Sequence, residues 1–360
     1  MVRTDIAALE LGQLETALED LGAKAFHARQ IYRWVYRVGL TDFRDMTDLS
    51  VALREQLSQE CEIRTPQVAQ RNSSVDGTEK FLLELDDGRM IESVFIPDTP
   101  RLTFCVSTQV GCAMKCAFCL TGKMGLHRNL TAAEIAGQVR VLAHAVGLAD
   151  KSFNVVLMGM GEPLHNYDAT MKALRMLTAR AGLAIPERRI TLSTVGVPRG
   201  LERLAAEPVM PNLAVSLHAA NDDLREQLVP VNRRYGLTDI LEACRLFPAG
   251  RRRRITFEYV LLADTNDSEN DARQLAGMLG GVKNKTKVNV IPLNEAPGIP
   301  FRRPTDSRIN RFARTLARGG VTVSIRKSRG RDIRAACGQL LVEGAAGRLV
   351  KEHPSSVDPR

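Results

Sequence analysis

The stretch "VGCAMKCAFCLTGKMG", residues 110–125, places Cys112, Cys116 and Cys119 within eight residues, with Phe118 between the last two. A zinc knuckle needs a fourth ligand nearby, and a disulfide framework needs an even number of cysteines. A Cys-x3-Cys-x2-Cys loop offers three thiolates, whereas a [4Fe–4S] cluster normally takes four. With three, one iron keeps an open position at which a substrate or cofactor can bind. A zinc site completed by a distant His or Cys is the competing use of these thiols. The strand-like "RLTFCVS" (101–107) before the loop and the aromatic residue inside it favour the cluster.

Downstream of the loop, strand-like and helix-like segments alternate. Strands are expected at 101–107, 153–159, 189–195, 212–218, 254–262, 287–293 and 321–326, with helices at 131–147, 166–181, 267–280 and 305–318. This alternation is the mark of a parallel βα fold. About six repeats predict an α/β fold of incomplete (β/α)6 type, short of the eight units of a closed barrel. The polar or Gly- and Pro-containing segments "GMGEPLHN", "STVGVPRG", "SLHAAND" and "PLNEAPG" each follow a strand directly. Parallel βα folds carry their chemistry at the carboxyl ends of the strands. Every candidate site is therefore expected on one rim.

Residues 1–62 read as a helical accessory domain. "AFHARQIYRWVYRVGL" (25–40) sets Phe26, Ile31, Trp34 and Val35 near one stripe, and "DFRDMTDLSVALREQL" repeats the pattern. Residues 63–97 form a short β-extension, with "KFLLELDDGRMIESVFIP" read as two strands around a "DDGR" turn. The barrel is assigned to 98–335 and a carboxyl-terminal segment to 336–360.

The 360 residues are 44% apolar and 25% charged, an ordinary globular balance. No run of about 20 apolar residues is long enough to span a membrane. The opening "MVRTDIAALELGQLETALEDLG" reads as an acidic amphipathic helix rather than a signal peptide. A cytoplasmic location follows as an expectation, and clustered cysteines in a reducing compartment are more often ligands or catalysts than structural disulfides. The net charge of +9 is uneven. Residues 1–100 hold 11 Lys/Arg against 18 Asp/Glu, a net of −7, and the rest hold 39 against 23, a net of +16. Much of the excess lies in "RRRR" (251–254) and "IRKSRGRDIR" (325–334), which points to a polyanionic partner, nucleic acid before membrane.

The motif "CAMKCAFC" resembles the cluster motif of the radical S-adenosylmethionine (radical SAM) superfamily. "FHARQIYRWVY", "MGMGEPL", "STVG", "SLHAAND", "PLNE" and "RGRDIRAACGQL" resemble one branch of it, the RlmN/Cfr family of RNA methyltransferases, and its RlmN side more closely. The resemblance runs over nearly the whole chain and weakens only at the carboxyl end. It implies that Cys112, Cys116 and Cys119 hold one [4Fe–4S] cluster. It further implies that Gly161, Glu162, Ser193, Ser216, Leu217, His218 and Asn294 bind SAM, with Glu162 near the methionine amino group. Cys337 would be the methyl carrier, passing through S-methylcysteine, Cys105 its resolving partner through a transient disulfide, and Glu92 the proton acceptor. Cys61 and Cys244 match no motif and read as packing residues.

The chemistry so implied consumes two SAM per turnover. Cys337 takes a methyl group from the first, and the second is split into methionine and a 5′-deoxyadenosyl radical. The activated methyl carbon adds to adenine, and Cys105 then releases the covalently held RNA. The implied product is 2-methyladenosine, in 23S rRNA (adenosine 2503, peptidyl transferase centre) and in tRNA (adenosine 37). Implied partners are those RNAs and an electron donor of flavodoxin or ferredoxin type, with no membrane and a monomeric enzyme. A Cfr-type adenine-C8 methyltransferase shares the cysteine set. A non-catalytic iron–sulfur RNA-binding protein would explain cluster and charge but leave the SAM motifs unused. Exposed Arg33, Arg37 and Arg44 are candidate RNA contacts in the otherwise acidic accessory domain.

Overall fold

The computed structural model describes residues 3–97, 102–248, 254–282 and 286–342. Arg251–Arg253 of the basic run, and the carboxyl segment from residue 343, lie outside the described residues. In the amino-terminal unit, β1 (Thr4–Asp5) pairs in parallel with β2 (Cys61–Glu62), tying its two ends together. Between them lie α1 (Leu11–Asp20), α2 (Phe26–Tyr32) and α3 (Val51–Glu60). A capping box of Glu10 and Gln13 starts α1, and the Ser50 hydroxyl accepts from the Leu53 amide at the start of α3. A π-helical turn, Arg33–Val38, continues α2 and stops at Gly39 in the left-handed region. The buried stripe is Ala28, Ile31, Tyr32, Val35 and Tyr36, at helical spacing. This corrects the expected stripe: Phe26 is 53% exposed and Trp34 is partly buried, whereas the two tyrosines stack inside, 4.6 Å apart.

One ten-stranded sheet organises the remainder. Its antiparallel side is β3 (Gln67–Ser73), β4 (Glu79–Glu84) and β5 (Met90–Ile96), and β5 pairs antiparallel with β6 (Thr103–Cys105). The β-extension thus has a third strand, β3, and continues the main sheet directly. Strand β3 is mostly exposed and lacks an apolar alternation, which is why its sequence does not announce it. After β6 comes the hairpin of β7 (Gln109–Gly111) and β8 (Leu126–Asn129), with α4 (Leu120–Met124) inside it. The series continues as α5 (Ala132–Ala145), β9 (Asn154–Leu157), α6 (Tyr167–Thr178), β10 (Ile190–Thr194), α7 (Pro198–Ala205), β11 (Asn212–Ser216), α8 (Asp222–Leu228) and α9 (Leu237–Leu246). It closes with β12 (Ile255–Leu261), α10 (Glu269–Gly280), β13 (Thr286–Pro292), α11 (Asp306–Arg318) and β14 (Thr322–Ile325). Strands β6 and β9–β14 are the seven expected strands, all parallel, with β14 at the edge.

The two faces of this sheet differ. Ile190, Leu192, Leu213, Val215, Phe257, Tyr259, Val288 and Val290 are buried in one core with helix residues such as Ile135, Leu174, Ile240, Leu275 and Phe312. The alternate positions Asn154, Thr191, Asn212, Ala214, Thr256, Glu258 and Asn289, on five consecutive strands, line one cavity of about 980 Å³ that also touches β5, β6 and β14. Residues from the whole row of strands converge on it, so the sheet curls into an incomplete barrel. Most inward side chains are small or polar, with Val156 and Ile291 as exceptions, whereas bulky branched residues fill a closed barrel. The interior therefore stays open. No described helix is long and apolar enough to cross a membrane.

Candidate active site

The cysteine loop is held by backbone contacts from three directions. Gly111 packs so closely on Gly125 that an added Cβ would lie 1.9 Å from the Gly125 carbonyl oxygen, and that oxygen accepts from the Cys112 amide at 2.8 Å. Only glycine at 111 permits this approach, at φ +78°. The Ala117 amide donates to Leu228 O of α8 at 2.9 Å, and the Leu120 amide to Gly338 O at 2.8 Å. The loop is thus joined both to the barrel and to the segment that carries Cys337.

Cys112, Cys116 and Cys119 line one cavity of about 150 Å³ at the carboxyl rim, with Gly161, Glu162, Ser193, Ser216, His218, Asn294 and Cys337. Among the described residues, no three of His, Cys, Asp and Glu converge on a single-ion site. Burial pushes the Cys112 thiol up to about 12 and the Cys116 thiol well above its usual range, and the neighbouring thiols reinforce both shifts. Burial raises Cys119 as well, with hydrogen bonds from Thr121 and Gly122 opposing it. Thiols that burial keeps protonated fit a centre that supplies positive charge, which deprotonates coordinating thiols.

The facing side of this cavity has the character of a cofactor site. Gly161, at φ +107°, packs where an added Cβ would lie 2.6 Å from Gln109. The chain therefore turns there without a side chain and delivers Glu162. The Glu162 carboxylate is 2% exposed and accepts from the Leu164 amide at 3.0 Å and the Val195 amide at 2.9 Å. Burial nevertheless pushes its pKa up to about 7. His218 takes φ +62°, held by Asn266 Nδ2 donating to its carbonyl at 2.8 Å. Its Nδ1 accepts from the Val260 amide at 3.0 Å, and burial lowers its pKa to about 3, so the ring is neutral with its proton on Nε2. Phe118 packs edge-on against that ring, centroids 4.7 Å apart, which explains the aromatic residue inside the cysteine motif. Asn294 donates to Cys337 O at 3.2 Å, and its own buried Oδ1 has no hydrogen-bond partner among the described residues. An orphaned acceptor on the wall of such a cavity fits a ligand carrying N–H groups.

Cys337 lines the larger cavity as well, with Cys105, Met158, Glu258, Ile291 and Asn294. It stands on the wall shared by the two. Burial pushes the Cys105 thiol up to about 12, the nearby Cys337 adds to the rise, and Arg326 opposes it. Arg326 follows β14, deep in the protein yet facing the cavity, with Nη1 3.8 Å from Glu258 Oε1. The acidic groups around it, Cys337 first and then Glu258 and Cys105, hold it well above its usual pKa against the effect of burial. The larger cavity reaches the amino ends of the strands, where Arg188, Arg189 and Lys287 line it with Lys327 and Arg329. The sequence places all chemistry on the carboxyl rim; the unfilled barrel gives the site a second, basic mouth at the other end.

Two expected site residues stand apart from these cavities. Leu217 is fully buried and faces neither, since alternation along the chain turns Ser216 and His218 inward and Leu217 away. Its carbonyl accepts from Arg225 instead. Glu92 also lines neither cavity. Its carboxylate pairs with Lys80 Nζ at 2.8 Å and accepts from the Leu341 amide at 2.7 Å. By sequence Arg326 belongs to the basic run 325–334, and Arg225 and Glu258 carry no motif. Glu258 has a signal in its register, a carboxylate on the same face of β12 as Thr256 and Val260 in an otherwise apolar strand. Arg33, Arg37 and Arg44 are exposed, as expected.

Residues 4–63 match the ribosomal RNA large subunit methyltransferase N-terminal domain, and residues 106–276 match the radical SAM superfamily. The chain is 46% identical over 333 residues to the dual-specificity RNA methyltransferase RlmN of Syntrophobacter fumaroxidans, covering 92% of this chain and 96% of that one. It is 47% identical to the protein of the same description from Geobacter sulfurreducens, covering 93% and 91%. A crystal structure of a radical SAM methyltransferase from Sphaerobacter thermophilus superposes with a TM-score of 0.89 at 45% identity, over 94% of this chain and 99% of that one.

Proposed function

The chain belongs to the RlmN family of radical SAM RNA methyltransferases, and from that premise we propose that it forms 2-methyladenosine in two RNAs. These are 23S rRNA, at adenosine 2503 of the peptidyl transferase centre, and tRNA, at adenosine 37. The observation that carries the reading is the position of Cys337, on the wall between the thiol-lined cavity and the basic-mouthed cavity that holds Cys105. A methyl carrier has to serve a donor on one side and an acceptor base on the other.

Carbon 2 of adenine is an electron-poor amidine carbon and does not attack a sulfonium methyl group, whereas a thiolate does. Cys112, Cys116 and Cys119 would hold the [4Fe–4S] cluster, and Glu162, His218 and Asn294, with the backbone around Gly161, Ser193 and Ser216, would hold SAM. When bound, cluster and SAM together supply the one-electron chemistry that activates the methyl carbon. Cys337 carries that carbon as S-methylcysteine. The Arg326 guanidinium favours the thiolate form of Cys105. Once the base is joined to the carrier, Cys105 attacks the Cys337 sulfur, forms a disulfide and frees the methylated base. Two SAM are then consumed per turnover.

A base that reaches Cys337 has to leave its stack, as for other enzymes acting on a nucleobase. Arg188, Arg189, Lys287, Lys327 and Arg329 at the amino-end mouth, and Arg33, Arg37 and Arg44 on the accessory domain, suit a phosphate backbone. Glu92 is the proton acceptor in this reading, and its carboxylate becomes available when the Leu341 contact opens. The enzyme works as a cytoplasmic monomer with a flavodoxin- or ferredoxin-type donor.

Anaerobic reaction of the reconstituted protein with SAM, reductant and unmodified RNA, followed by nucleoside mass spectrometry, tests the proposal. 2-Methyladenosine is expected. 8-Methyladenosine as main product would assign the Cfr-type reaction, and absence of 5′-deoxyadenosine would favour a non-catalytic iron–sulfur RNA-binding protein.

A further inference from the structure

Arg225 of α8 is 0% exposed. Its Nε donates to Leu217 O at 3.0 Å, Nη2 to Val195 O at 2.6 Å and Ser216 O at 3.1 Å. Nη1 donates to Asn232 Oδ1 at 2.7 Å and Tyr235 O at 3.4 Å. Every acceptor is neutral, and no ion pair to Arg225 exists among the described residues. A guanidinium taken out of water without a counter-ion costs several kcal/mol. The acidic groups in electrostatic reach are the Cys116 thiol and Asp222. The Asp222 side chain is already engaged, accepting at Oδ1 from Asn232 Nδ2 and the Leu237 amide, each at 2.9 Å.

The surroundings show where the missing negative charge belongs. Val195 and Ser216, whose carbonyls Arg225 grips, line the same cavity as Cys116. Helix α8 ends in the Leu228 carbonyl that accepts from Ala117, the residue after Cys116. The cation therefore backs onto the cysteine loop, and the compensating charge is the thiolate-ligated centre that the loop holds.

We propose that Arg225 is a positioning residue for the cluster: its fixed charge behind Cys116 offsets the negative charge of the thiolate-bound centre and raises its reduction potential. The inference rests on the cluster assignment of the proposed function. Reduction adds negative charge, and cluster potentials follow local charge and hydrogen bonding. A buried cation nearby makes the electron easier to add.

Anaerobic redox titration without SAM, followed by electron paramagnetic resonance of the reduced cluster, tests it on wild type, Arg225→Lys, Arg225→Gln and Asp222→Asn. Arg225→Gln keeps an amide donor for the strand-end carbonyls but loses the charge. At a fixed potential its reduced-to-oxidised ratio should fall at least tenfold, a shift of about 59 mV to more negative values. Arg225→Lys should stay near wild type. Asp222→Asn retains an acceptor for Asn232 and Leu237 and removes a neighbouring negative charge, so its potential should move the other way, by less because solvent screens it. Equal shifts in Arg225→Lys and Arg225→Gln, or an unmoved potential in Arg225→Gln, would overturn the inference. Should Arg225→Gln fail to hold a cluster, Asp222→Asn decides, and an unchanged or more negative potential there counts against it. Wild-type protein that assembles no cluster would overturn the functional reading and this inference with it, a result distinct from a cluster whose potential ignores these substitutions.

Discussion

The Leu341 backbone amide donates to Glu92 Oε2 at 2.7 Å, so a carboxylate on β5 fastens the segment that begins four residues earlier with Cys337. Thr121 supports the same segment through its hydroxyl, which donates to Leu340 O at 2.7 Å. Cys337 thus sits on a strap fixed from the sheet and from the cysteine loop.

Glu92→Gln keeps an acceptor for Leu341 and removes the proposed base. Methyl loading of Cys337 should persist, while turnover falls roughly 100-fold or more, the usual scale for losing a general base. Single-turnover methyl loading measured beside product formation separates the two. Glu92→Ala should also leave the mostly buried Lys80 unpaired, at a cost of about 3–5 kcal/mol in denaturant unfolding.

Cys337→Ala should abolish methyl incorporation into the protein. Cys105→Ala should load methyl normally and accumulate protein cross-linked to RNA, visible as a slow band on denaturing gels. Normal turnover by Cys105→Ala would remove the resolving role.

Replacing Arg326 by methionine takes away the cation that faces Cys105 and Cys337. Thiolate formation at Cys105 then needs a higher pH. The pH profile for release of the cross-linked RNA should move to the alkaline side, with a loss of about tenfold at neutral pH for each unit of Cys105 thiol pKa. Arg326→Lys should recover most of it, whereas a role in packing alone would leave the pH profile in place.

Glu162 is held near 7 by burial. Its folded-state pKa lies above that of the unfolded chain, so in the ligand-free protein its contribution to stability is present in acid and is lost as pH rises through about 7. A protonated Glu162 does not attract an ammonium group. SAM affinity, measured by calorimetry, should therefore weaken as pH falls below about 7, and Glu162→Gln should bind weakly with no such dependence.

Much of the fold is legible in the chain itself. Alternating apolar segments mark β6 and β9–β14 and the helices α5, α6, α10 and α11, because burial of one sheet face or helix stripe imposes a local period. The spacing of Cys112, Cys116 and Cys119 declares a centre short of one ligand, and the glycine, proline and polar residues after each strand mark the rim. Strand β3 escapes notice, being exposed and without apolar alternation. What only the folded chain decides is which charges lose their water. Arg326 looks like part of a solvated basic run and Arg225 like an ordinary helix residue, yet one faces two thiols and the other lies sealed behind the cysteine loop. The segment that carries Cys337 to both cavities is held by Asn294 at the Cys337 carbonyl, Leu120 at Gly338 O and Glu92 at the Leu341 amide, the last of these contacts joining positions 249 residues apart. Desolvation and proximity of this kind depend on which distant segments meet, and no local period in the sequence records that.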